Sequence, residues 1–270
     1  MVLKNLFDNY VEFEEIIKDE TGGKIDLENL ESNPTTILPL LCVCKRQNIS
    51  LENGEQAYDF LIDNLSKNVL FSKLPASRIE SDETDFLTRY MENLDSEYGG
   101  YFALRTMISE IANNVYDHSN LDNYNVQRYI LSNLNEDSKK LDICVVDDGP
   151  SIPGLFEEYG LNFENDCYSI EKAIGTFSTI SDSEYERGNG LWTVIRLAAE
   201  GNLGEILFVS RNGCLHICGE KYKYYLFNEI HTFNGTLIGL RLNKHEIQNI
   251  YGLIEFNKPD SYKLGVIHDH

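Results

Sequence analysis

The stretch FALRTMISEIANNVYDHS, Phe102 to Ser119, carries two side-chain patterns that decide how the chain folds. Read as a helix, it aligns four apolar side chains at near-helical spacing, namely Leu104, Ile108, Ile111 and Val115. A polar row runs beside this stripe, with Glu110 and Asn114 one turn apart and Asp117 and His118 one turn further on. The pattern predicts a helix that packs on a core and turns its polar row towards a cleft, although such a row also suits a helix that merely faces water.

Charge and composition exclude several classes of protein. The chain has 270 residues, of which 42% are hydrophobic, so it is long enough for one large globular domain or two smaller ones. Its formal net charge of -21 repels phosphate backbones and anionic lipid headgroups. We therefore expect neither a nucleic-acid partner nor a membrane partner, whereas a nucleotide could still bind through local backbone N–H groups and a divalent cation.

The location of the protein is predicted from its apolar runs and its cysteines. The longest strongly apolar run, near Ile37 to Cys44, is too short for a membrane span, and no signal-peptide pattern opens the chain. Six cysteines in mostly apolar surroundings indicate buried thiols in a reducing compartment, so we expect a cytoplasmic protein. Cys214, His216 and Cys218 would share one face of a strand, which leaves a zinc site as an alternative to small apolar cysteines.

The first 90 residues predict a small α/β domain. Short strands at KIDL and NISL alternate with the apolar segment TTILPLLCVCK, which Pro34 opens, and with the amphipathic EQAYDFLIDNL. This domain resembles the STAS-like domains that accompany anti-sigma-type regulators. The polar, proline-containing stretch over residues 74–85 predicts a linker to a second domain over residues 91–250, and a tail follows over 251–270.

A predicted central strand leads into the first candidate site. NVQRYILSN and KKLDICVVD read as two strands, and the second is apolar on both faces, which is typical of a strand in the middle of a sheet. It ends at Asp147, and Gly149 follows two residues later. A carboxylate at a strand end, followed by glycine, is able to hold the exocyclic amine of a ring, although Asp and Gly also suit an ordinary turn.

Two glycine motifs follow. A Ser, Thr and Asp-rich stretch, STISDSEYE, predicts a mobile lid, and Arg187-Gly188-Asn189-Gly190-Leu191 opens a helical segment after it. Glycines there expose N–H groups to phosphate, or they simply let the helix begin. Arg211-Asn212-Gly213 predicts a hairpin between GEILFVS and CLHICGE, and Gly235-Thr236 opens a last alternating strand.

The order of these motifs resembles the GHKL ATPase superfamily, which includes histidine-kinase catalytic domains, type II topoisomerases, the mismatch-repair ATPase and the anti-sigma serine kinases. The resemblance covers roughly residues 100–245 and rests on Glu-x3-Asn-x2-Asp-His, Asp-x-Gly, Gly-x-Gly-Leu and Gly-Thr. It implies an α/β Bergerat fold, that is, a mixed sheet with helices on one face and a lid over ATP.

The resemblance implies roles for individual residues. Asn114 would bind the Mg²⁺ that bridges the ATP phosphates. Asp147 would accept from the adenine amine, Gly149 would let the ring approach, and Thr236 would support Asp147 through water. Glu110 matches the general base of the hydrolytic and serine-kinase branches.

The remaining predicted nucleotide contacts lie around the glycine loop and the helix ends. Gly188 and Gly190 would cradle phosphate, and Leu191 would seat the helix behind them. To these we add Arg187, which could neutralise γ-phosphate charge, although an arginine exposed to water is the alternative. The predicted set is completed by Asp117, His118 and Ile152.

One departure from the family pattern and two absent features indicate which branch of the superfamily the chain resembles. Ser151 stands where the family often has a second glycine, so we expect an altered lid hinge or adenine pocket. Residues 1–100 contain no histidine that could serve as a phosphoacceptor, and about 25 residues follow Leu242, which disfavours the histidine-kinase and topoisomerase branches. We therefore expect an ATPase or a Ser/Thr kinase with a regulatory protein partner, closest to the anti-sigma serine kinases. A nucleotide-gated binding module without catalysis and a homodimer both stay open.

Overall fold

A computed structural model of the chain describes residues 3–18, 25, 27, 30–31, 33–51, 53–75, 80–118, 126–175, 190–219, 221–227, 233–255 and 267–269. These residues form an α/β protein built on one eight-stranded sheet. Its strands are β1 (Val69–Lys73), β2 (Arg128–Asn135), β3 (Lys140–Asp147), β4 (Glu205–Ser210), β5 (Gly213–Cys218), β6 (Lys221–Leu226), β7 (Thr236–Asn243) and β8 (Ile267–Asp269). The helices are α1 (Leu6–Lys18), α2 (Pro34–Gln47), α3 (Ala57–Asp63), α4 (Glu80–Glu92), α5 (Tyr101–His118), α6 (Ser151–Glu158), α7 (Asp166–Gly175), α8 (Gly190–Ile195) and α9 (Ile250–Glu255).

The strand order is β1-β2-β3-β7-β4-β5-β6-β8. Neighbouring strands from β1 to β6 are antiparallel, and only the short edge strand β8 is parallel to its neighbour among the strands described. The sheet is therefore mixed, as expected, with a single parallel pair. β3 lies inside the sheet as its two apolar faces predicted, and Arg211 and Asn212 turn the predicted hairpin between β4 and β5.

The predicted organising helix, α5, covers the first face of the sheet. Its apolar stripe of Leu104, Ile108, Ile111 and Val115 is buried, in agreement with its spacing. Side chains of α4, α7 and α8 join this core, together with the π-helical segment Arg196–Gly201 that continues α8. The sheet contributes alternate residues from β3, β4 and β7, because side chains in a strand point to opposite faces in turn.

Helices also cover the second face, where we had expected none. α1, α2 and α3 pack on it and share a core with the other set of alternate residues from the same strands. β1 is an edge strand of this same sheet, so the described part of residues 1–90 has its sheet and core in common with the rest of the chain. Of these three helices, the sequence predicted α3 as an amphipathic helix and the segment of α2 only as an apolar stretch, and neither pattern says which apolar surface a helix will cover.

A buried charge network ties the start of α1 to the sheet. Arg241 on β7 donates two hydrogen bonds to Asp142 on β3, at 2.7 Å and 2.6 Å, and lies 3.3 Å from Glu205 on β4. Its Nη1 also donates to the carbonyl oxygen of Lys4 at 2.6 Å, while the backbone N–H of Leu6 donates to Glu205 at 2.7 Å. The start of α1 is therefore held by Arg241 and Glu205, which also interact with each other as opposite charges.

Two further predictions need correction. The expected linker over residues 74–85 runs into helix α4, whose Phe86, Leu87, Tyr90 and Met91 are buried at helical spacing. The sequence did not predict this helix, because its first turns are polar and its apolar stripe begins only at Phe86. The expected tail over 251–270 contains part of α9 and the edge strand β8. In the part of the chain described, no helix is both long and apolar enough to cross a lipid bilayer.

Candidate functional site

Four polar side chains line up at one end of the sheet, on the face that α5 covers. Arg128 begins β2, Asp147 ends β3, Thr236 begins β7 and Ser210 ends β4. Each of these residues is the direct cross-strand partner of the next, and direct partners point to the same face of a sheet. We call Arg128, Asp147, Thr236 and Ser210 the polar row.

Asp147 is the acid of the polar row and is buried, with 6% of its surface exposed. Burial raises the pKa of its carboxyl to about 7, although the backbone N–H of Gly149 donates to Oδ1 at 3.0 Å and favours the charged form. The nearby charge of Asp148 raises this pKa further, and that of Arg128 lowers it. Asp147 is therefore a carboxyl whose charge changes near neutral pH.

The neighbouring carboxylate, Asp148, is held from the opposite side of the sheet. Arg46 of α2 pairs with it, with 3.2 Å between Nε and Oδ2, and also donates to its carbonyl oxygen at 2.7 Å. The backbone N–H of Gln127 donates to its Oδ1 at 2.6 Å. The two adjacent acids therefore differ, because Asp148 has an arginine partner and Asp147 has none within ion-pairing distance among the described residues.

Ser210 connects the polar row to α6. Its hydroxyl accepts from the backbone N–H of Ile152 at 2.9 Å, donates to the carbonyl of Gly235 at 3.0 Å and lies 3.3 Å from the Thr236 hydroxyl. Ile152 is half-buried, and its neighbour Ser151 has a φ of 70°, in the left-handed region that glycine prefers. Ser151 therefore holds a backbone conformation that glycine would adopt more readily.

Gly235 allows two chain segments to come very close at this end of the sheet. A methyl group built on Gly235 would lie 1.9 Å from the carbonyl oxygen of Asp147 and 2.8 Å from the Cα of Asp148. Since both are backbone atoms, no side chain could move to make room. The glycine before Thr236 is therefore needed to bring that residue opposite Asp147.

Glu110, Asn114 and Gly190 meet where α5 packs on α8. The Asn114 Nδ2 donates to the carbonyl of Glu110 at 2.7 Å, which turns Oδ1 away from the helix backbone. A methyl group on Gly190 would lie 2.6 Å from the Glu110 carboxylate and 3.7 Å from Asn114 Nδ2. Leu191 is buried in the core beside them. The sequence predicted this meeting of the helix motif and the glycine motif only through the family resemblance.

The two parts of the candidate site lie on the same face of the sheet. α5 and α8 share one core with the inward side chains of β2, β3, β4 and β7, and the polar row is in phase with those inward side chains. Of the other predicted contacts, Arg187, Gly188 and the side chains of Asp117 and His118 lie outside the described residues, as does the predicted lid STISDSEYE over residues 178–186.

Sequence reasoning missed Arg128. Only 6% of its surface is exposed, and its Nε and Nη1 have no hydrogen-bond partner among the residues that the structure describes. Burial lowers the pKa of its guanidinium, although the nearby Tyr116, Asp147 and Asp148 act to raise it. The available signal was a charged residue at an inward position of β2, in phase with the buried Ile130.

The alternative zinc site is not supported by the contacts of its histidine. Cys214 and His216 do lie on one face of β5, but the His216 Nε2 is 2.6 Å from Glu205 Oε1 and belongs to the charge network beside α1. Cys218, by contrast, is exposed. Among the described side chains no group of three His, Cys, Asp or Glu residues could hold a metal ion. The other five cysteines are buried thiols, as predicted.

Neither a scan against models of protein families nor a search of curated proteins finds a match to this chain. The function is therefore inferred from the geometry and chemistry of the site itself.

Proposed function

We propose that this protein binds Mg²⁺-ATP in a GHKL-type site and either hydrolyses it or transfers its γ-phosphoryl group to a Ser or Thr of a regulatory partner protein in the cytoplasm. The observation that supports it most is that the four motifs, far apart in the chain, come together in two pairs. Asp147 pairs with Thr236 across the sheet, and Gly190 lies against Glu110 and Asn114.

The sheet end suits a purine base. Asp147, when ionised, accepts hydrogen bonds and would hold the exocyclic amine of adenine. Thr236 is its direct cross-strand partner and offers a hydroxyl that could hold a bridging water between itself and the carboxylate. Because burial leaves this carboxyl with a pKa of about 7, we expect base binding to strengthen as the pH rises through neutrality.

The face of α5 suits the phosphates and their cation. Mg²⁺ typically takes one or two protein oxygens and fills its other positions with phosphate and water, so a single amide oxygen such as Asn114 Oδ1 is an adequate protein ligand. When bound, the cation would neutralise charge on the β- and γ-phosphates. Gly190 has no side chain that would separate this cation from the start of α8.

Glu110 lies one turn before Asn114 and would act as the general base. In hydrolysis, the oxygen of a water would attack the γ-phosphorus while the bond to the β,γ-bridging oxygen breaks, giving ADP and phosphate. The carboxylate of Glu110 would take the proton that this water loses. In the kinase reaction, a Ser or Thr hydroxyl of the partner would replace the water.

A second candidate is a nucleotide-gated binding module, in which ATP changes a partner surface without chemistry. The position of Glu110 favours it, because its carboxylate lies so close to Gly190 that a methyl group there would be 2.6 Å away. Because the Glu110 carboxylate lies against the backbone of α8, it would have to move before it could take a proton from a water. In this candidate, partner affinity would differ between ATP, ADP and no nucleotide.

The deciding experiment follows the γ-phosphate. The purified protein would be incubated with Mg²⁺ and γ-labelled ATP, and bound, released and protein-attached label would be measured. Free labelled phosphate indicates an ATPase, and label on added partner protein indicates a kinase. Bound ATP with no movement of label favours the binding module, and failure to bind ATP would overturn the proposal.

Matched variants separate the role of Asn114 in binding from that of Glu110 in turnover. Asn114→Ala should remove Mg²⁺-dependent binding, whereas Asn113→Ala makes the same change about 100° away around α5 and should not. Glu110→Gln should keep ATP binding and slow turnover by about 10²-fold or more if Glu110 is the base. Unchanged turnover in Glu110→Gln would remove that role.

A further inference from the structure

We propose that Arg128 contacts the nucleotide base, donating a hydrogen bond to a ring nitrogen of the same purine whose amine Asp147 accepts from. This inference rests on the proposed nucleotide site and adds a base-recognition residue to it. Arg128 and Asp147 would together read a donor and an acceptor on one edge of the ring.

The register brings the two side chains together. The carbonyl of Arg128 accepts from Leu74 N–H, on the side away from β3, and that of the preceding Gln127 accepts from Asp148 N–H. Arg128 and Asp147 are therefore a non-hydrogen-bonded pair, the kind in which antiparallel side chains lie closest. Even so, no ion pair joins their charged groups among the contacts of the described residues.

The guanidinium is buried without its full set of acceptors. Among the described residues its Nε and Nη1 have no hydrogen-bond partner, and of the two acids whose charges act on it, Asp148 is paired with Arg46. A buried donor without an acceptor costs more than a satisfied one gains, so an acceptor supplied by a ligand would recover this loss. Arg128 thus has donors for which the described part of the chain supplies no acceptor.

A base fits this position better than a phosphate. Asp147 lies directly beside Arg128, and an ionised carboxylate would repel a phosphate group at that point. A purine instead offers an amine donor for the carboxylate and a ring nitrogen acceptor for the guanidinium. For adenine, the acceptor would be N1 or N7.

The test measures dissociation constants for ATP and for two analogues, 1-deaza-ATP and 7-deaza-ATP. Each analogue lacks one ring nitrogen of adenine, N1 or N7. Wild-type protein should bind one of the two analogues about 10- to 100-fold more weakly than ATP, the range expected for a hydrogen bond from a charged group. Arg128→Met should weaken ATP by a similar factor and should no longer distinguish ATP from that analogue. Arg128→Lys should recover part of the loss at most, because it lacks the planar fork.

Arg46→Met is the matched control. It removes a positive charge from the same pair of acids, but from the opposite face of the sheet, so it should still distinguish ATP from the weaker analogue. If Arg46→Met lost this discrimination as Arg128→Met does, the effect would be one of general charge and the base contact would be wrong.

The outcomes separate this proposal from the proposed function. If wild-type protein binds no ATP, both the base contact and the proposed function are wrong. If wild type binds ATP and both analogues equally, or if Arg128→Met binds ATP as well as wild type does, the base contact is wrong and the nucleotide site stands. The comparison of analogues on wild-type protein needs no variant, so it decides the matter even if Arg128→Met fails to fold.

Discussion

Two arginines are buried at opposite ends and on opposite faces of one sheet, and their surroundings differ. Arg241 donates to Asp142 twice, to the backbone of Lys4 and to Glu205. Burial alone would lower its pKa, but these hydrogen bonds and charges outweigh it and the pKa is raised. Arg128 keeps two nitrogens without partners, and burial lowers its pKa.

The difference separates a structural charge from one held for a ligand. Every acceptor around Arg241 comes from the protein, so the group serves the fold. Among the described residues two nitrogens of Arg128 have no acceptor, and Arg128 lies in the polar row with Asp147, whose pKa burial raises to about 7. Burial of a charge is therefore less informative than the number of its partners.

The largest expected effect on stability is at Arg241, whose hydrogen bonds are supplied by the protein. Arg241→Met should lower the free energy of unfolding by about 3–5 kcal/mol, because Asp142 and Glu205 would stay buried without a counter-charge. Urea unfolding at neutral pH measures this. Adding Asp142→Leu and Glu205→Met should recover much of the loss, since the uncompensated charges are then gone. A loss below about 1 kcal/mol would show that the network is not a structural one.

The next effect concerns Asp147 and depends on pH. Its folded pKa is raised above the ordinary value of 3.8, so its contribution to stability is complete below about pH 4 and is lost as the pH rises through about 7. Asp147→Asn abolishes this titration. Relative to wild type, the variant should therefore gain stability on going from about pH 5.5 to pH 8, on the order of a few kcal/mol.

Urea unfolding of both proteins at the two pH values measures that gain. Asp148→Asn provides a graded control, because burial also raises the pKa of Asp148 while the Gln127 N–H and Arg46 act to lower it, so its gain over the same pH range should be smaller. A stability difference between wild type and Asp147→Asn that stays constant with pH would contradict the raised pKa.

Arg128→Met should have a smaller effect on the free protein than Arg241→Met. We expect the free energy of unfolding to change by less than about 1 kcal/mol, because Met fills much of the same space and two unsatisfied donors disappear. Urea unfolding without nucleotide measures this. If Arg128→Met were as destabilising as Arg241→Met, the contrast between the two ends of the sheet would be lost.

The smallest effect tests backbone strain beside the polar row. Ser151 has a φ of 70°, and its Oγ accepts from the N–H of Gly154 at 3.2 Å. Ser151→Ala and Ser151→Gly both lose this hydrogen bond, but only glycine relieves the left-handed backbone. Ser151→Gly should therefore be the more stable of the two by about 1 kcal/mol in thermal unfolding, and equal stability would mean that no strain is stored there.

Local patterns predicted much of the fold. The stripe of α5, the two apolar faces of β3 and the turn at Arg211 and Asn212 each follow from residues close together in sequence, so their structure could be read directly. The first turns of α4 could not, because residues 80–85 are polar and resemble a linker. Nor could the packing of α1 to α3 on the second face, because an apolar stripe does not identify its partner.

The candidate site was predicted unevenly for a related reason. Asp147, Gly190 and Thr236 stand next to glycines or strand ends, which leave a local signal. Arg128 gains its meaning only from the register of β2 against β3, which pairs residues 19 positions apart. Ser210 likewise matters because β4 pairs with β7, and such pairings are visible only once the sheet is formed.

The anchoring of α1 also affects how the chain reaches its fold. Leu6 and Glu205 are 199 residues apart, and Lys4 and Arg241 are 237 apart. During synthesis α1 and α2 are made before the strands on which they pack, which are mainly β2 and β3 for α2 and β4 and β7 for α1. α1 therefore lacks part of its apolar cover until β7 has been translated, and such long-range contacts slow folding and expose the chain to aggregation.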